Sequence, residues 1–255
     1  MSKSSLSRQN KIYQAILSKG RIYVSELSKN FHVSSETIRK DLDILERQGL
    51  ILKKHGYAEI MNDYFQLPLN VKITEHALAK QAIAKKALEY IKDNSMIFLD
   101  PGSTTLALAK YLPLKKGLTI VTNSLAIAQL VSDMKHDLIF TGGRLQKKGK
   151  AFVGAFTANN IDAIQIDTAF MGCDGFLNTD GPTTFSFEEV LIKQHVIKKA
   201  SQKILLCDAS KFEKTGTYTF ASFKDYDVLI TNPVSNKEKE LVKDVKEVIY
   251  VNADQ

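Results

Sequence analysis

The residues best suited to binding chemistry lie in a short turn in the first half of the chain. Two apolar residues, Phe98 and Leu99, are followed by a turn rich in glycine and hydroxyl groups: Asp100, Pro101, Gly102, Ser103, Thr104 and Thr105. This order predicts a strand that leads into a helix, and the free N–H groups at the start of a helix attract anions. Phosphate is the expected ligand, but a turn whose hydroxyl groups only cap the helix fits the same residues.

A second group of polar and basic side chains stands near the amino terminus. It lies in a predicted helix that Ser34 caps and Gly49 ends, and whose inward face contains Ile38, Leu42 and Leu45. The outward side chains of its first turns are Ser35, Glu36, Thr37, Arg39 and Lys40. A helix that packs on a preceding helix and presents such side chains from its first turns is typical of a DNA-reading helix-turn-helix.

The elements around this helix complete a small domain. A first helix is predicted from Ile12, Ile16 and Leu17, with a stop at Lys19-Gly20. A second is predicted from Val24, Leu27 and Phe31, capped by Ser25 or its neighbour. After the third helix, two short strands, Leu50–Lys54 and Tyr57–Ile60, are predicted on either side of the turn His55-Gly56. Such a hairpin forms the wing of a winged helix-turn-helix.

The rest of the chain alternates short apolar runs with helical stretches. Helical spacing begins near Glu75 and continues to Asp93-Asn94. The apolar runs are 96–99, 118–121, 138–140, 168–171, 204–207, 228–230 and 248–251. This alternation predicts an α/β domain with a largely parallel sheet. The domain boundaries expected are therefore 1–61 for the winged helix-turn-helix, 62–74 for an irregular linker that contains Pro68, and 75–255 for the α/β domain.

Charge and composition favour nucleic acid as a partner of the first domain. The formal net charge is +7, and residues 1–61 contain 11 Lys and Arg against 6 Asp and Glu, a net of +5 that leaves +2 for residues 62–255. No signal peptide and no apolar run long enough to cross a bilayer is found, so a cytoplasmic protein without a membrane partner is expected. Cys173 and Cys207 form no metal or redox motif and are interpreted as structural; no metal and no cofactor is expected.

The amino-terminal motif resembles that of a known family. The pattern Arg8-x3-Ile12-x3-Ile16, followed after seventeen residues by Ser34-x2-Thr37-Ile38-Arg39-Lys40-Asp41-Leu42, resembles the helix-turn-helix signature of DeoR-family transcription regulators. The wing is also similar, with Tyr57 where the family usually has a second glycine. By position we expect Ser35, Thr37 and Arg39 to lie nearest the DNA, and backbone contacts to come from Lys40, Lys53, Lys54 and His55. Asp41 is expected to pair with Arg39, Lys40 or the wing.

The second domain resembles the DeoR sensor domain, which is similar to the ribose 5-phosphate isomerase fold. The motifs that carry this resemblance, in order, are 122–124, 141–143, 172–175, 189–193 and 208–212, and all are expected to fall where predicted strands stop. Ligands of open parallel sheets bind beyond the carboxyl ends of the strands. One crevice is therefore expected to gather these motifs around a phosphorylated sugar.

The resemblance and the chemistry of the side chains assign roles within this crevice. Gly102, Ser103, Thr104 and Thr105 are expected to hold the phosphate. Asp174 is expected to accept hydrogen bonds from sugar hydroxyl groups, and Lys193 or Lys211 to supply positive charge. The further effector-binding candidates are Asp100, Asn123, Gly142, Gly143 and Glu189. Glu189 fits equally well as a partner of Lys193 one helical turn away, and the basic run 144–150 fits either an anion-attracting loop or a solvated surface.

The function expected is that of a DNA-binding transcriptional regulator, a repressor of a carbohydrate-utilisation operon whose affinity for a double-stranded operator is controlled by a phosphorylated sugar. A homo-oligomer, dimer or tetramer, is expected because paired half-sites require a symmetric protein. One alternative is a sugar phosphate isomerase-like enzyme with a DNA-binding head, but the Lys-Gly-x-Gly-Gly loop of similar isomerases is absent from the sequence, and no enzyme is expected. The other is a second domain that serves only for oligomerisation.

Overall fold

The computed structural model describes residues 3–19, 21–48, 50–60 and 67–253, which divide into two compact units, Met1–Val71 and Lys72–Gln255. The helices of the first unit are α1 (Lys3–Lys19), α2 (Val24–Phe31) and α3 (Ser35–Arg47). Its strands are β1 (Arg21–Tyr23), β2 (Ile51–Lys54) and β3 (Tyr57–Ile60). The predicted helix stops at Gly20 and Gly49 lie outside the described residues.

The first unit packs its three helices around one apolar core, against which an antiparallel sheet of order β1-β3-β2 is placed. Ser34 caps α3 as predicted, since its side chain accepts a hydrogen bond of 3.2 Å from the Thr37 N–H. The cap predicted at Ser25 is wrong, because α2 begins one residue earlier and Tyr23 precedes it without a side-chain cap. Strand β1, which no pattern predicted, completes the sheet of the wing.

Asp41 has a different partner from those expected. Its carboxylate is 3% exposed and binds residues of α1, accepting hydrogen bonds of 2.6 Å from Arg8 Nε and 3.0 Å from Gln9 Nε2. Lys40 instead pairs with Glu36 on the surface of α3. Asp41 lies on the inward face with Ile38 and Leu42, so it connects α3 to α1 rather than to a neighbouring base or the wing.

The second unit contains the remaining elements. Its helices are α4 (Leu69–Thr74), which begins before the unit boundary, α5 (Ala77–Leu88), α6 (Ser103–Ala109), α7 (Leu125–Val131), α8 (Ala155–Asp162), α9 (Phe187–Lys199) and α10 (Asn236–Leu241). Its strands are β4 (Met96–Leu99), β5 (Thr119–Thr122), β6 (Asp137–Phe140), β7 (Arg144–Gln146), β8 (Ala151–Val153), β9 (Ile166–Met171), β10 (Thr183–Thr184), β11 (Ala200–Leu206), β12 (Tyr218–Thr219), β13 (Val228–Thr231) and β14 (Glu247–Tyr250).

Seven of these strands form one sheet of order β14-β13-β11-β9-β4-β5-β6, in which every neighbouring pair is parallel. These are the seven predicted apolar runs. Alternate residues of each strand enter separate cores, so Phe98 belongs to the core that includes residues of α8 and α9, while Ile97 and Leu99 belong to the core that includes residues of α5, α6 and α7. Burial on both sides explains why the central strands contain continuous apolar runs, whereas the edge strands β6 and β14 are only partly buried.

The segment predicted as an irregular linker is partly helical. Residues 61–66 lie outside the described part of the chain, but Leu69–Thr74 forms α4, and Leu69 and Val71 are buried. Pro68 stands just before this helix, where its missing N–H leaves no helical hydrogen bond unmade. The helix expected from Glu75 begins at Ala77, after His76 in the left-handed conformation.

Two small antiparallel pairs, β7 with β8 and β10 with β12, were not predicted, because strands of two or three residues carry no readable alternation. Every helix among the described residues is too short or too polar to cross a bilayer. Cys207 is buried and Cys173 half-buried, and both are free thiols, which agrees with a structural interpretation.

The buried pair of Asp41 with Arg8 leads to a first prediction. Asp41→Ala removes the acceptor of three hydrogen bonds and is expected to lower the local free energy of unfolding of the first unit by about 2 kcal/mol, the usual cost of losing hydrogen bonds to a charged group. Hydrogen exchange of the α1 and α3 amides in the full chain measures this change. The control Asp43→Ala, which removes a surface partner of Lys53, is expected to cost less than about 1 kcal/mol. Equal losses for both variants would contradict the assignment.

Candidate functional site

The outward face of α3 presents the predicted DNA-binding side chains. Ser35 and Thr37 are half-buried, and the Thr37 hydroxyl lies 2.9 Å from that of Ser34. Arg39 is exposed and makes no hydrogen bond or ion pair with any described residue. Lys40 is held by Glu36 at 2.9 Å. Arg39 is therefore the basic residue of this face that is available to a partner without breaking an existing ion pair.

In the wing, the predicted residues differ in the same way. Lys53 pairs with Asp43, and its N–H donates to Glu46, whereas Lys54 and His55 are exposed at the turn. Tyr57, the departure from the family pattern, lies in β3, and its ring is covered by the guanidinium of Arg21 at 4.5 Å from the centroid. Its φ is not in the left-handed region that favours glycine. The hairpin therefore accommodates a tyrosine here without strain.

In the second unit, the order in which the chain adds strands to the sheet changes direction between β4 and β9. From β4 the chain adds β5 and β6 on one side, and then returns to add β9, β11, β13 and β14 on the other. The crevice beyond the carboxyl ends of two strands at such a point is where ligands of open α/β sheets bind. The turn that begins at Asp100 follows β4, and the segment Gly172–Asp174 follows β9, so the topology brings two of the predicted motifs to this crevice.

Asp100 and Lys193 form an ion pair buried beneath the crevice. Besides Lys193, the Asp100 carboxylate accepts a hydrogen bond of 2.9 Å from the Gly172 N–H, and Lys193 Nζ also donates to the Gly172 carbonyl at 3.0 Å. Burial raises the pKa of Asp100. For Lys193, burial acts to lower the pKa, but the carboxylates of Asp100 and Glu189 outweigh it and raise the pKa, so the lysine stays charged. These two predicted effector residues are thus already paired with each other.

The predicted phosphate turn uses one of its hydroxyl groups internally. Thr105 Oγ1 donates to the carbonyls of Asp100 at 2.6 Å and Gly102 at 3.1 Å. Gly102 has extended backbone, and a Cβ there would lie 3.2 Å from Thr105 Oγ1, so the close approach of these two residues favours glycine. Ser103 and Thr104 form the first turn of α6, with Thr104 buried.

Asp174 accepts hydrogen bonds from three directions. Lys72 Nζ lies 2.5 Å from its carboxylate, the Phe185 N–H donates at 3.1 Å, and the Thr184 hydroxyl at 3.3 Å. Burial alone would raise the pKa of Asp174, but the charges of Lys72 and Lys211 and the backbone donor lower the pKa to about 2. Asp174 is therefore ionised at any physiological pH.

Lys80 and Lys211 lie near Asp208, which follows β11. Lys80 is 4% exposed, and its ammonium donates to the carbonyls of Lys72 at 2.5 Å and Glu75 at 2.6 Å, with Asp208 Oδ2 at 4.0 Å. Burial lowers the pKa of Lys80 to about 8. Burial also acts to lower the pKa of Lys211, but the charges of Asp208 and Asp174 raise it. Lys211 is half-buried, and its ammonium group makes no hydrogen bond or close ion pair with any described residue.

The other predicted effector residues fall into two groups. Glu189 accepts hydrogen bonds from Thr184 at 2.8 Å and Gln146 at 3.1 Å, which places it beside Asp174, the other carboxylate that Thr184 contacts. The second group, Asn123, Gly142 and Gly143, follows β5 and β6. Within the described ranges these residues make no hydrogen bond to the charged side chains described above. Asn123 Nδ2 donates to the Phe152 carbonyl at 2.8 Å. Gly142 and Gly143 have φ of 63° and 118° and shape their own turn.

Three of the charged residues described above were not predicted as site residues: Lys72, Lys80 and Asp208. Lysines in or beside predicted helices are normally solvated, and the partners of these two lie more than a hundred residues further along the chain. Lys80 carried one usable signal, because it stands three and four residues from Ala77, Ile83 and Ala84 and so shares their face of α5. Asp208 belonged to a recognised motif but was not assigned a role.

Each of the two units contains a match to a known family model. Residues 8–63 match the family model of the DeoR-like helix-turn-helix domain, and residues 75–233 match that of the DeoR C terminal sensor domain. The HTH-type transcriptional regulator GolR of Listeria innocua is 35% identical over 90% of this chain and 91% of its own length. The glycerol-3-phosphate regulon repressor of Escherichia coli is 31% identical over 89% of this chain and 92% of its own.

Among solved structures, ribose 5-phosphate isomerase A of Methanocaldococcus jannaschii is similar over 54% of this chain and 55% of its own, with 20% identity and a TM-score of 0.39. That likeness is too weak to support an argument about activity. The matches along nearly the whole chain are instead to proteins named as transcriptional regulators, not as enzymes. Two family models in the expected order, and relatives above 30% identity along nearly the full length, show that this chain belongs to the DeoR family of transcriptional regulators.

Proposed function

We propose that this regulator is a cytoplasmic, homo-oligomeric repressor of a carbohydrate-utilisation operon, and that a phosphorylated sugar controls its affinity for the operator. The observation that carries the proposal is that Lys80 and Lys211 are withdrawn from solvent without a close carboxylate partner. Both are withdrawn from solvent at the carboxyl ends of the strands, and neither has a carboxylate within hydrogen-bond distance in the described chain. Buried charges normally have a partner, and an anionic ligand supplies one.

Phosphate fits this arrangement better than a carboxylate does. A dianion with three terminal oxygens accepts hydrogen bonds from more than one ammonium group, and Ser103 and Thr104 offer further donors in the turn after β4. The carboxylates of Asp174 and Asp208 accept hydrogen bonds from sugar hydroxyl groups. The name of the Escherichia coli relative, a glycerol-3-phosphate regulon repressor, is consistent with a phosphorylated metabolite as the signal.

Lys72 supplies a route by which the ligand acts on the connection between the units. It pairs with Asp174 and is the first residue of the second unit, while the preceding residue, Val71, belongs to the apolar core of the first unit. A phosphate competes with Asp174 for Lys72 and so alters the segment through which the chain passes from one unit to the other. Thermodynamic linkage then requires operator DNA to change the affinity for the sugar phosphate by the same factor.

The DNA-binding part of the proposal rests on Arg39. Arg39→Ala is expected to weaken binding to the operator by about 1–3 kcal/mol, the usual value for a side chain that contacts a base through two hydrogen bonds. The measurement is a gel-shift titration at constant salt with the chain's own upstream promoter and with random duplex. Arg47→Ala is the matched control, because Arg47 is exposed at the far end of α3 and carries the same charge. An equal effect of both variants on the preference for the promoter would exclude base reading by Arg39.

The effector part rests on Lys211. Phosphorylated sugars are expected to raise the unfolding temperature, their unphosphorylated counterparts are not, and Lys211→Met is expected to reduce the affinity at least about tenfold because a charged hydrogen bond contributes about 1.5–3 kcal/mol. Lys135→Met is the control, since that exposed lysine precedes β6 at the opposite edge of the sheet. If no phosphorylated sugar changes either stability or DNA binding, the second unit serves only for oligomerisation.

The pKa of Lys80 predicts how the affinity depends on pH. The pKa is about 8 in the free protein, so Lys80 is protonated at pH 7 and mostly neutral at pH 9. A sugar phosphate is a dianion over this range, because its second pKa is about 6. Its affinity is therefore expected to fall as the pH rises through 8, by at most about tenfold per pH unit for one proton. NMR titration of labelled lysine should show the Lys80 pKa rising when ligand binds; an unchanged pKa would remove Lys80 from the phosphate site.

A further inference from the structure

A cavity is lined by Asp208 and Asn232 but by neither Lys80 nor Lys211. It has a volume of about 670 Å³ and lies beyond the carboxyl ends of β11 and β13, where Asp208 and Asn232 follow the strands. This volume is within the range of pockets that hold small molecules. None of the residues predicted to bind the effector lies in this cavity, and Asn232 was not singled out by any motif.

Two buried hydrogen-bond acceptors at this cavity have no donor among the described residues. Asn232 is 8% exposed, and its Nδ2 donates to the Val251 carbonyl at 3.0 Å, which fixes the amide so that Oδ1 remains without a hydrogen bond. Asp208 Oδ1 accepts hydrogen bonds from Ser210, while Oδ2 accepts none and has only Lys80 at 4.0 Å. A buried acceptor without a donor is destabilising, and both of these residues line the cavity.

The charges around the cavity define which donor fits. Glu213 and Glu238 also border it, so three acidic residues line this space, and a phosphate group is disfavoured there. An ammonium ligand is disfavoured as well, because Lys80 already lies beside Asp208 Oδ2 and the charge of Lys211 lowers the pKa of that carboxyl group. Uncharged hydroxyl groups donate to both acceptors and add no charge.

We infer that the cavity beside Asn232 binds the hydroxyl-bearing end of the sugar, and that Asn232 is the residue that discriminates among phosphorylated ligands. This inference rests on the proposed function. The phosphate is held by Lys80 and Lys211, and the sugar hydroxyl groups in the cavity donate to Asn232 Oδ1 and Asp208 Oδ2. Asn232 therefore adds nothing to the binding of inorganic phosphate and contributes only when the ligand carries hydroxyl groups.

The test compares two ligands on each variant of the full chain. Affinities for inorganic phosphate and for the most stabilising member of a panel of pentose 5-phosphates and hexose 6-phosphates are measured by thermal shift. Asn232→Ala is expected to weaken the sugar phosphate at least about fivefold and to leave inorganic phosphate unchanged, as loss of one hydrogen bond requires. Asn236→Ala, an exposed asparagine of α10, is expected to change neither. The ratio of the two affinities cancels any general loss of stability.

A second measurement uses variants of the ligand. Deoxy analogues of the chosen sugar phosphate, each lacking one hydroxyl group, are tested on the wild-type chain, and at least one is expected to bind about fivefold more weakly. That analogue and its parent should bind equally to Asn232→Ala, or to Asn232→Ser if the alanine variant does not fold. An equal effect of Asn232→Ala on both ligands, or none on either, would overturn the inference and leave a solvent-filled cavity.

The two levels of the proposal fail in different ways. If neither inorganic phosphate nor any sugar phosphate stabilises the wild-type chain, the proposed effector class is wrong. The cavity is then tested with free pentoses and hexoses at high concentration, and a shift in unfolding temperature that Asn232→Ala abolishes would support hydroxyl recognition alone. No such shift would overturn the inference together with the proposed function.

Discussion

The ion pair between Asp100 and Lys193 constrains the whole binding edge of the sheet. It joins the end of β4 to α9, and through Gly172 it also holds the segment that follows β9. Two charges in the interior of a protein are tolerated only when each keeps its partner, because an uncompensated buried charge is strongly destabilising. The turn after β4 and the segment after β9 therefore cannot move independently. Their relative position is a property of the core, so the two sides of the crevice are fixed with respect to each other.

The charged groups near this pair differ in how many hydrogen bonds and ion pairs they already make within the chain. Asp174 accepts hydrogen bonds from Lys72 and from two further donors, and one oxygen of Asp208 accepts from Ser210. The ammonium group of Lys211 has no direct partner in the described chain. The extent of this pairing determines how much each group can add to the affinity for a ligand. A fully paired group stabilises the scaffold but gives up little to a ligand, whereas a group whose partner is distant gains from binding and adds to affinity.

The fold was readable from the sequence where burial imposes a pattern. The central strands of the parallel sheet are buried on both sides, so each contains a run of apolar residues, and Ser34 caps a helix with a plain amphipathic face. Strand β1 was not predicted because its three residues, Arg21, Ile22 and Tyr23, form a strand only by pairing with β3. Helix α4 was not predicted because Pro68 and its polar neighbours suggest a loop. The burial of Leu69 and Val71 is decided by tertiary packing.

The partners of the polar side chains could not be read in the same way. Asp41 was expected to bind a base in its own helix, and it binds Arg8 and Gln9 on another; Lys40 and Arg39 are adjacent, yet one is paired and the other is not. Residue type and spacing determine whether a side chain points inward, but not whether its hydrogen bonds are already used. The roles proposed for Arg39, Lys211 and Asn232 rest on that distinction, since these residues are of common types and each has a side-chain donor or acceptor that folding leaves without a partner.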